Sequence, residues 1–181
     1  MVLIGCTPPG RHIEQHDVFF GIGHSLKELI PDMIGFWPEA QGKLHIDAFR
    51  EVNFVDGFQV QVVTADNADR VAETADRLFF LNLGGYKKNE FEEYHYKMLA
   101  VCRDMGMAAR LAKQTAFYKH TGFKHAESHI DDKYGVDVDD IHPVEDILPA
   151  TVKSRYKIRL SLLSAPAEDE LQIGYFKLSK L

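Results

Sequence analysis

Glu14-Gln15-His16, nine positions after Gly5, returns as Glu93-Tyr94-His95, nine positions after Gly84. Leu44-His45-Ile46-Asp47 returns as Ser128-His129-Ile130-Asp131, and Phe58-Gln59-Val60-Gln61-Val62 as Tyr156-Lys157-Ile158-Arg159-Leu160. Three matched segments in one order indicate a duplicated unit, and that decides the fold. Ahead of the first glycine, Val2-Leu3-Ile4 reads as a short strand. Residues 12–22 read as a long second strand ending in Val18-Phe19-Phe20. Residues 43–54 and 58–64 read as two further strands joined through Asp56-Gly57, a strong signal for a tight hairpin turn. Between them, Ser25 reads as a helix N-cap with Glu28 closing a capping box. Leu26, Leu29, Ile30, Met33, Ile34 and Trp37 make an apolar stripe at helical spacing. Pro31 falls inside that stripe and predicts a kink or a broken first turn, because it lacks an N–H and crowds the preceding turn.

The second copy follows the same order. Leu78–Leu83 reads as its first strand, Gly84-Gly85 as a turn, and Phe91–Val101 as its second strand. Asp104 stands at the offset of Ser25 and is also a good N-cap, opening an Ala-rich helix over residues 105–119 with Leu111, Ala112 and Thr115 inward. An acidic segment, Asp139–Asp146, has no match in copy one. Thr64–Asp76 links the copies and has the composition of a short helix, and Leu171–Leu178 reads as one additional strand. Each unit is thus strand–strand–helix–strand–strand, and about 70 residues carry little core alone. The expectation is an α+β fold of two tandem repeats with pseudo-two-fold symmetry and mainly antiparallel sheet. Residues 1–64 form repeat unit one, 65–77 the linker, and 78–181 repeat unit two with the acidic insertion and C-terminal strand, both making one compact domain. Trp37, Phe20, Phe58, Leu83, Leu99 and Ile158 are the expected core markers.

With 181 residues, 45% hydrophobic and 27% charged, the composition is that of an ordinary soluble globular protein. A formal charge of −6 without a basic stripe argues against a nucleic-acid partner. No run approaches the roughly 18 apolar residues of a membrane span. Met1–Gly5 reads as a first strand rather than a signal peptide. Cys6 and Cys102 form neither a disulfide framework nor a zinc knuckle, so a reducing cytoplasm is expected. Ser179-Lys180-Leu181 reads as the end of an amphipathic strand rather than as a peroxisomal address.

Ile13-Glu14-Gln15-His16-Asp17, Trp37, Leu44-His45-Ile46-Asp47 and Val55-Asp56-Gly57-Phe58 together resemble the bacterial domain of unknown function 1543 family. The second half adds Leu81-Asn82-Leu83-Gly84-Gly85-Tyr86, Glu90-Phe91-Glu92-Glu93-Tyr94-His95, and His129 with Asp131 followed by Val138-Asp139-Asp140. The resemblance covers nearly the whole chain; copy one has Gly5-Cys6 where the family favours Gly-Gly. It implies a duplicated unit and brings no activity, cofactor or substrate.

Strand side chains alternate, so Glu14 and His16 should share a face, as should His45 and Asp47. The duplication adds Glu93 with His95 and His129 with Asp131. These eight are the ligand-binding candidates, under three readings: structural hydrogen-bonded pairs, a metal site, or an acid–base or anion site. Gly21-Ile22-Gly23 lacks the third glycine of a phosphate loop and reads as close packing at a tight turn. His120, His125, Glu127 and His129 cluster after the second helix and read as solvated polar residues. No nucleophile or cofactor fingerprint stands out. The residues favour a non-catalytic module binding a small ligand or a protein; the alternative is a small metal- or carboxylate-dependent enzyme using the Glu-x-His and His-x-Asp pairs.

Overall fold

The computed structural model describes residues 1–68, 75–86, 89–114 and 137–181. The elements run β1 (Val2–Cys6), β2 (Gln15–Phe19), α1 (Ile30–Phe36), β3 (His45–Phe49), β4 (Phe54–Val55), β5 (Phe58–Thr64), α2 (Ala65–Ala68), β6 (Arg77–Tyr86), β7 (Glu93–Cys102), α3 (Met105–Lys113), β8 (Asp137–Pro143), β9 (Tyr156–Leu162) and β10 (Gln172–Lys177). Short helices at Val144–Ile147 and Ala150–Lys153 precede β9. The fold is α+β, and every strand pairing among the described residues is antiparallel. No described helix is long and apolar enough to cross a membrane.

Two compact units emerge, Met1–Val71 with Ile147–Leu181, and Ala72–Asp146. This differs from the 1–64, 65–77 and 78–181 division. β9 pairs along the whole of β5, and β10 pairs with β3, so the C-terminal strands lie with the first unit. The Asp169 carboxylate also accepts the N–H groups of Asn53 (2.9 Å) and Phe54 (3.0 Å), fixing the C-terminal segment beside β4. Hydrogen bonds between strands distant in sequence, not chain continuity, set the boundary.

The first unit holds a sheet in the order β10-β3-β1-β2 and a second in the order β4-β5-β9. Val2, Ile4 and Cys6, alternate residues of β1, point into one core with Phe19, Leu29, Met33 and Ile46. Each fully buried large side chain there contributes roughly 1.5–3 kcal/mol. Leu26, Ile30 and Trp37 pack against this core half-buried, whereas Ile34 is exposed at the outer edge of the stripe. Pro31 has the expected consequence: residues Leu26–Leu29 form a 3-10 turn, and regular α-helix starts only at Ile30. Ser25 makes no side-chain cap, and Glu28 accepts the His24 N–H at 3.0 Å instead. Gly21 has a packing reason, since a Cβ there would come within 2.7 Å of the Phe19 ring.

Two expected strands differ in extent. The second strand covers only Gln15–Phe19, because its partner β1 is five residues long and pairing ends at Cys6 with Gln15. The stretch 43–54 divides into β3 and β4, which enter different sheets. β4 turns into β5 through Asp56 (φ 50°) and Gly57 (φ 79°), the left-handed pair that a tight two-residue hairpin turn requires. Phe20 is buried as expected, while Phe58 is half-buried.

The second unit holds the sheet β7-β6-β8 with α3 against it. Gly84 and Gly85 are not a turn: they continue β6, opposite His95 and Tyr94. Asp104 caps α3 by accepting the Met107 N–H at 2.7 Å. Ala108 and Ala112 bury completely beside Phe79, Leu81 and Leu83, their small side chains letting the helix approach the sheet closely. Leu83 and Leu99 are buried, as expected; Ile158, on β9 of the first unit, is half-buried. The acidic segment forms most of β8, which fills the place beside β6 that β3 fills beside β1. Thr115 and the end of the expected 105–119 helix lie outside the described residues.

Candidate functional site

Gly5 lies between two histidines. It pairs with His16 on β2 and with His45 on β3. Directly paired residues share a face of the sheet, so both imidazoles stand beside a residue with no side chain. A Cβ at Gly5 would lie 2.7 Å from His45 Nε2, 2.7 Å from Asp47 Oδ2 and 3.0 Å from His16 Cδ2. Gly5 is therefore a steric condition for the rings to converge.

Asp47 reaches the same point through a bulge. Leu3 pairs with Ala48 and Ile4 with Ile46, which leaves Asp47 as the extra residue of β3. Glu14 arrives from the residue just before β2. The result is an alternating ring of bases and acids. His16 Nε2 lies 3.7 Å from Glu14 Oε2 and 3.2 Å from Asp47 Oδ2, and His45 Nε2 lies 3.2 Å from Glu14 Oε1 and 3.3 Å from Asp47 Oδ1. The sequence set Glu14, His16, His45 and Asp47 is brought together in full.

These contacts are close but poorly directed. His45 is the only buried polar side chain among the described residues, at 6% exposure. Its Nε2 is buried without a hydrogen-bond partner, and so is Asp47 Oδ2. Leaving a buried polar group unsatisfied costs about 1–3 kcal/mol. Two such atoms beside one point indicate that the side chains are aimed at a shared position rather than at one another. Donor atoms of Glu14, His16 and His45 all lie within 4.8 Å of one another. Around a tetrahedral ion with bonds of about 2.0–2.2 Å, neighbouring donors sit roughly 3.3–3.5 Å apart, and Glu14 oxygens lie 3.2 Å from His45 Nε2 and 3.7 Å from His16 Nε2. Two imidazole nitrogens with carboxylate oxygens suit zinc or a similar divalent transition metal.

Sequence reasoning missed two nearby residues. Tyr175 of β10 stacks on His45 with centroids 4.4 Å apart and planes at 31°. It stands where the β10–β3 register breaks, between Ile173 and Phe176. Lys177 pairs with His45 and so shares its face. Neither carried a motif, but the i, i+2 spacing of Tyr175 and Lys177 on an expected strand was a usable signal. Cys6 follows Gly5 yet points into the core; burial first, and the Glu14 charge second, push its thiol pKa up. A thiol held protonated is a poor ligand and a poor nucleophile.

The second-copy candidates divide. Glu93 and His95 are both described, with Oε2 and Nε2 3.9 Å apart, and His95 Nδ1 lies 3.3 Å from the Asn82 amide nitrogen. His129 and Asp131 lie outside the described residues, as do His120, His125 and Glu127. The strand register on β6 nonetheless resembles that on β1. Gly84 pairs with His95 on one side and Asp137 on the other, as Gly5 pairs with His16 and His45. The β6–β8 pairing shifts between Asn82 and Leu83, which makes Asp139 the extra residue, as Asp47 is in β3. Asp137-Val138-Asp139 thus pairs with β6 in the register in which His45-Ile46-Asp47 pairs with β1.

Residues 11–62, which include all four of Glu14, His16, His45 and Asp47, match the model of the family Domain of Unknown Function (DUF1543). The crystal structure of a protein Il1583 from Idiomarina loihiensis is similar to this chain with a TM-score of 0.58 and 24% identity, over 98% of this chain and 94% of that one. At that identity the likeness concerns the fold alone. No curated protein matches the chain.

Proposed function

From the premise that the chain belongs to the DUF1543 family through residues 11–62, we propose that it is a ligand-binding module whose ligand is a divalent transition-metal ion. Glu14, His16 and His45 hold the ion, with Asp47 beside them. One observation carries the reading: the buried His45 Nε2 has no hydrogen-bond partner although it stands 3.2 Å from Glu14 Oε1, in a group of three donors that can share one ion. A purely structural polar network would satisfy that atom.

The same reading treats the chain as a duplicated unit. β1 and β6, with their partners β2 and β7, correspond at an offset of 79 (84 − 5 and 95 − 16), and both third strands bulge at the matching place. The last strands correspond at an offset of 98, under which the Ala65 N–H to Arg155 C=O bond (2.9 Å) maps onto Leu163 N–H to Gly57 C=O (2.8 Å). Such reciprocity is what pseudo-two-fold symmetry between β5 and β9 requires. Both cysteines are free and buried, which suits a reducing, cytoplasmic setting.

The test is calorimetric titration of chelator-stripped protein with zinc. The expected result is one strong equivalent that His45→Ala removes, with the apo melting temperature nearly unchanged. Binding that is equal in wild type and His45→Ala, or a His45→Ala protein that melts far below wild type, overturns the reading.

A further inference from the structure

The three donors that can share one ion are Glu14, His16 and His45; Asp47 is not of that set, although its oxygens lie 3.2 and 3.3 Å from the two imidazole nitrogens. Three protein ligands leave a fourth position at a tetrahedral ion. Resting on the metal reading above, we propose that this position is open to exchange and that the site takes a small carboxylate or other oxyanion there, with Asp47 holding the water that the anion displaces.

The surroundings support an exchangeable position. Glu14 and His16 expose 45% and 40% of their side chains, so solvent reaches the cluster from the β2 side, whereas His45 closes the opposite side beneath Tyr175. Asp47 Oδ2 is a buried acceptor without a donor, oriented into the cluster. Water on the ion supplies that donor, since metal coordination polarises its O–H bonds. Charge favours an anionic guest. A dication against Glu14 and Asp47 sums to neutral, and Lys177, on the same face by its pairing with His45, makes the neighbourhood positive. No ion pair engages Lys177 among the described residues.

Cobalt(II) is the probe, because its visible bands report coordination directly. Apo protein is loaded with cobalt and titrated with sodium acetate, then with inorganic phosphate, at constant ionic strength. The bands are expected to shift saturably with an apparent Kd on the order of 1 mM. Asp47→Asn should still load cobalt, its affinity lowered by about 10–100-fold, the usual scale for a group outside the ligand set. It should bind acetate more tightly, having lost both a negative charge and the water's acceptor. Lys177→Ala should bind acetate several-fold more weakly at unchanged cobalt affinity. A spectrum indifferent to both anions overturns the proposal, and so does loss of cobalt on Asp47→Asn, which would make Asp47 a fourth ligand and the site closed. Wild-type protein that takes up no cobalt at all instead overturns the metal reading beneath it.

Discussion

The sheets β3-β1-β2 and β8-β6-β7 share strand order, antiparallel pairing and the place of one bulge, yet among the described residues only the first gathers a convergent set of donors. Two positions separate them. His45 faces Gly5 where Asp137 faces Gly84. Leu3 stands at the offset where the second unit has Asn82, whose amide lies 3.3 Å from the His95 ring. In one unit the shared histidine turns toward acids and a second histidine; in the other a neighbouring amide engages it. Similar backbone pairing therefore does not by itself bring the same donors together.

The largest expected effect breaks or secures that contrast. His45→Ala should lower metal affinity more than about 100-fold in a calorimetric titration, beyond the 10–100-fold typical of residues that only support ligands. His95→Ala should leave both affinity and the single-equivalent stoichiometry nearly unchanged. Two equivalents in the wild type would make the units functionally alike and end the comparison.

Core substitutions come next. Phe19→Ala and Phe79→Ala each remove a ring at 1% exposure and should cost about 3–5 kcal/mol by urea denaturation. Trp37→Ala should cost roughly 2 kcal/mol, below the fully buried range, because Trp37 packs half-buried on its core. An equal loss at all three would show that the helix stripe of the first unit is buried more deeply than its exposure indicates.

Gly5→Ala should cost roughly 1–3 kcal/mol through overpacking and should also abolish metal uptake, since the added methyl meets His45 Nε2 and Asp47 Oδ2. Intact uptake by Gly5→Ala would mean the rings converge elsewhere. The smallest effect compares the helix starts. Asp104→Ala should lose about 1 kcal/mol, having lost a formed cap, and Ser25→Ala only a few tenths, having none to lose. Equal losses in thermal denaturation would place a working cap at Ser25.

Much of this was legible from neighbouring residues. Asp56-Gly57 specified its turn, Pro31 its broken helix start and Asp104 its cap, because each acts on backbone within a few positions. Glu14 with His16 and His45 with Asp47 could be named as candidates through strand alternation. The acidic segment read only as an insertion for a physical reason: its alternation is weak, and hydrogen-bonded pairing with β6 rather than its own composition makes most of it a strand. The Gly84-Gly85 pair was likewise read as a turn, although a ten-residue partner, β7, holds both glycines extended.

Residue pattern alone was enough for the α+β class, the antiparallel hairpin at Asp56-Gly57 and the four polar residues of the first unit. All of these rest on local sterics, hydrogen bonds within a few residues, or periodicity along one strand. Tertiary structure alone decided that Gly5 sits between His16 and His45, that a bulge turns Asp47 toward both rings, and that β9 and β10 pair with the first unit. Register between strands dozens of residues apart is chosen by how whole faces bury against one another, and no single segment carries that information.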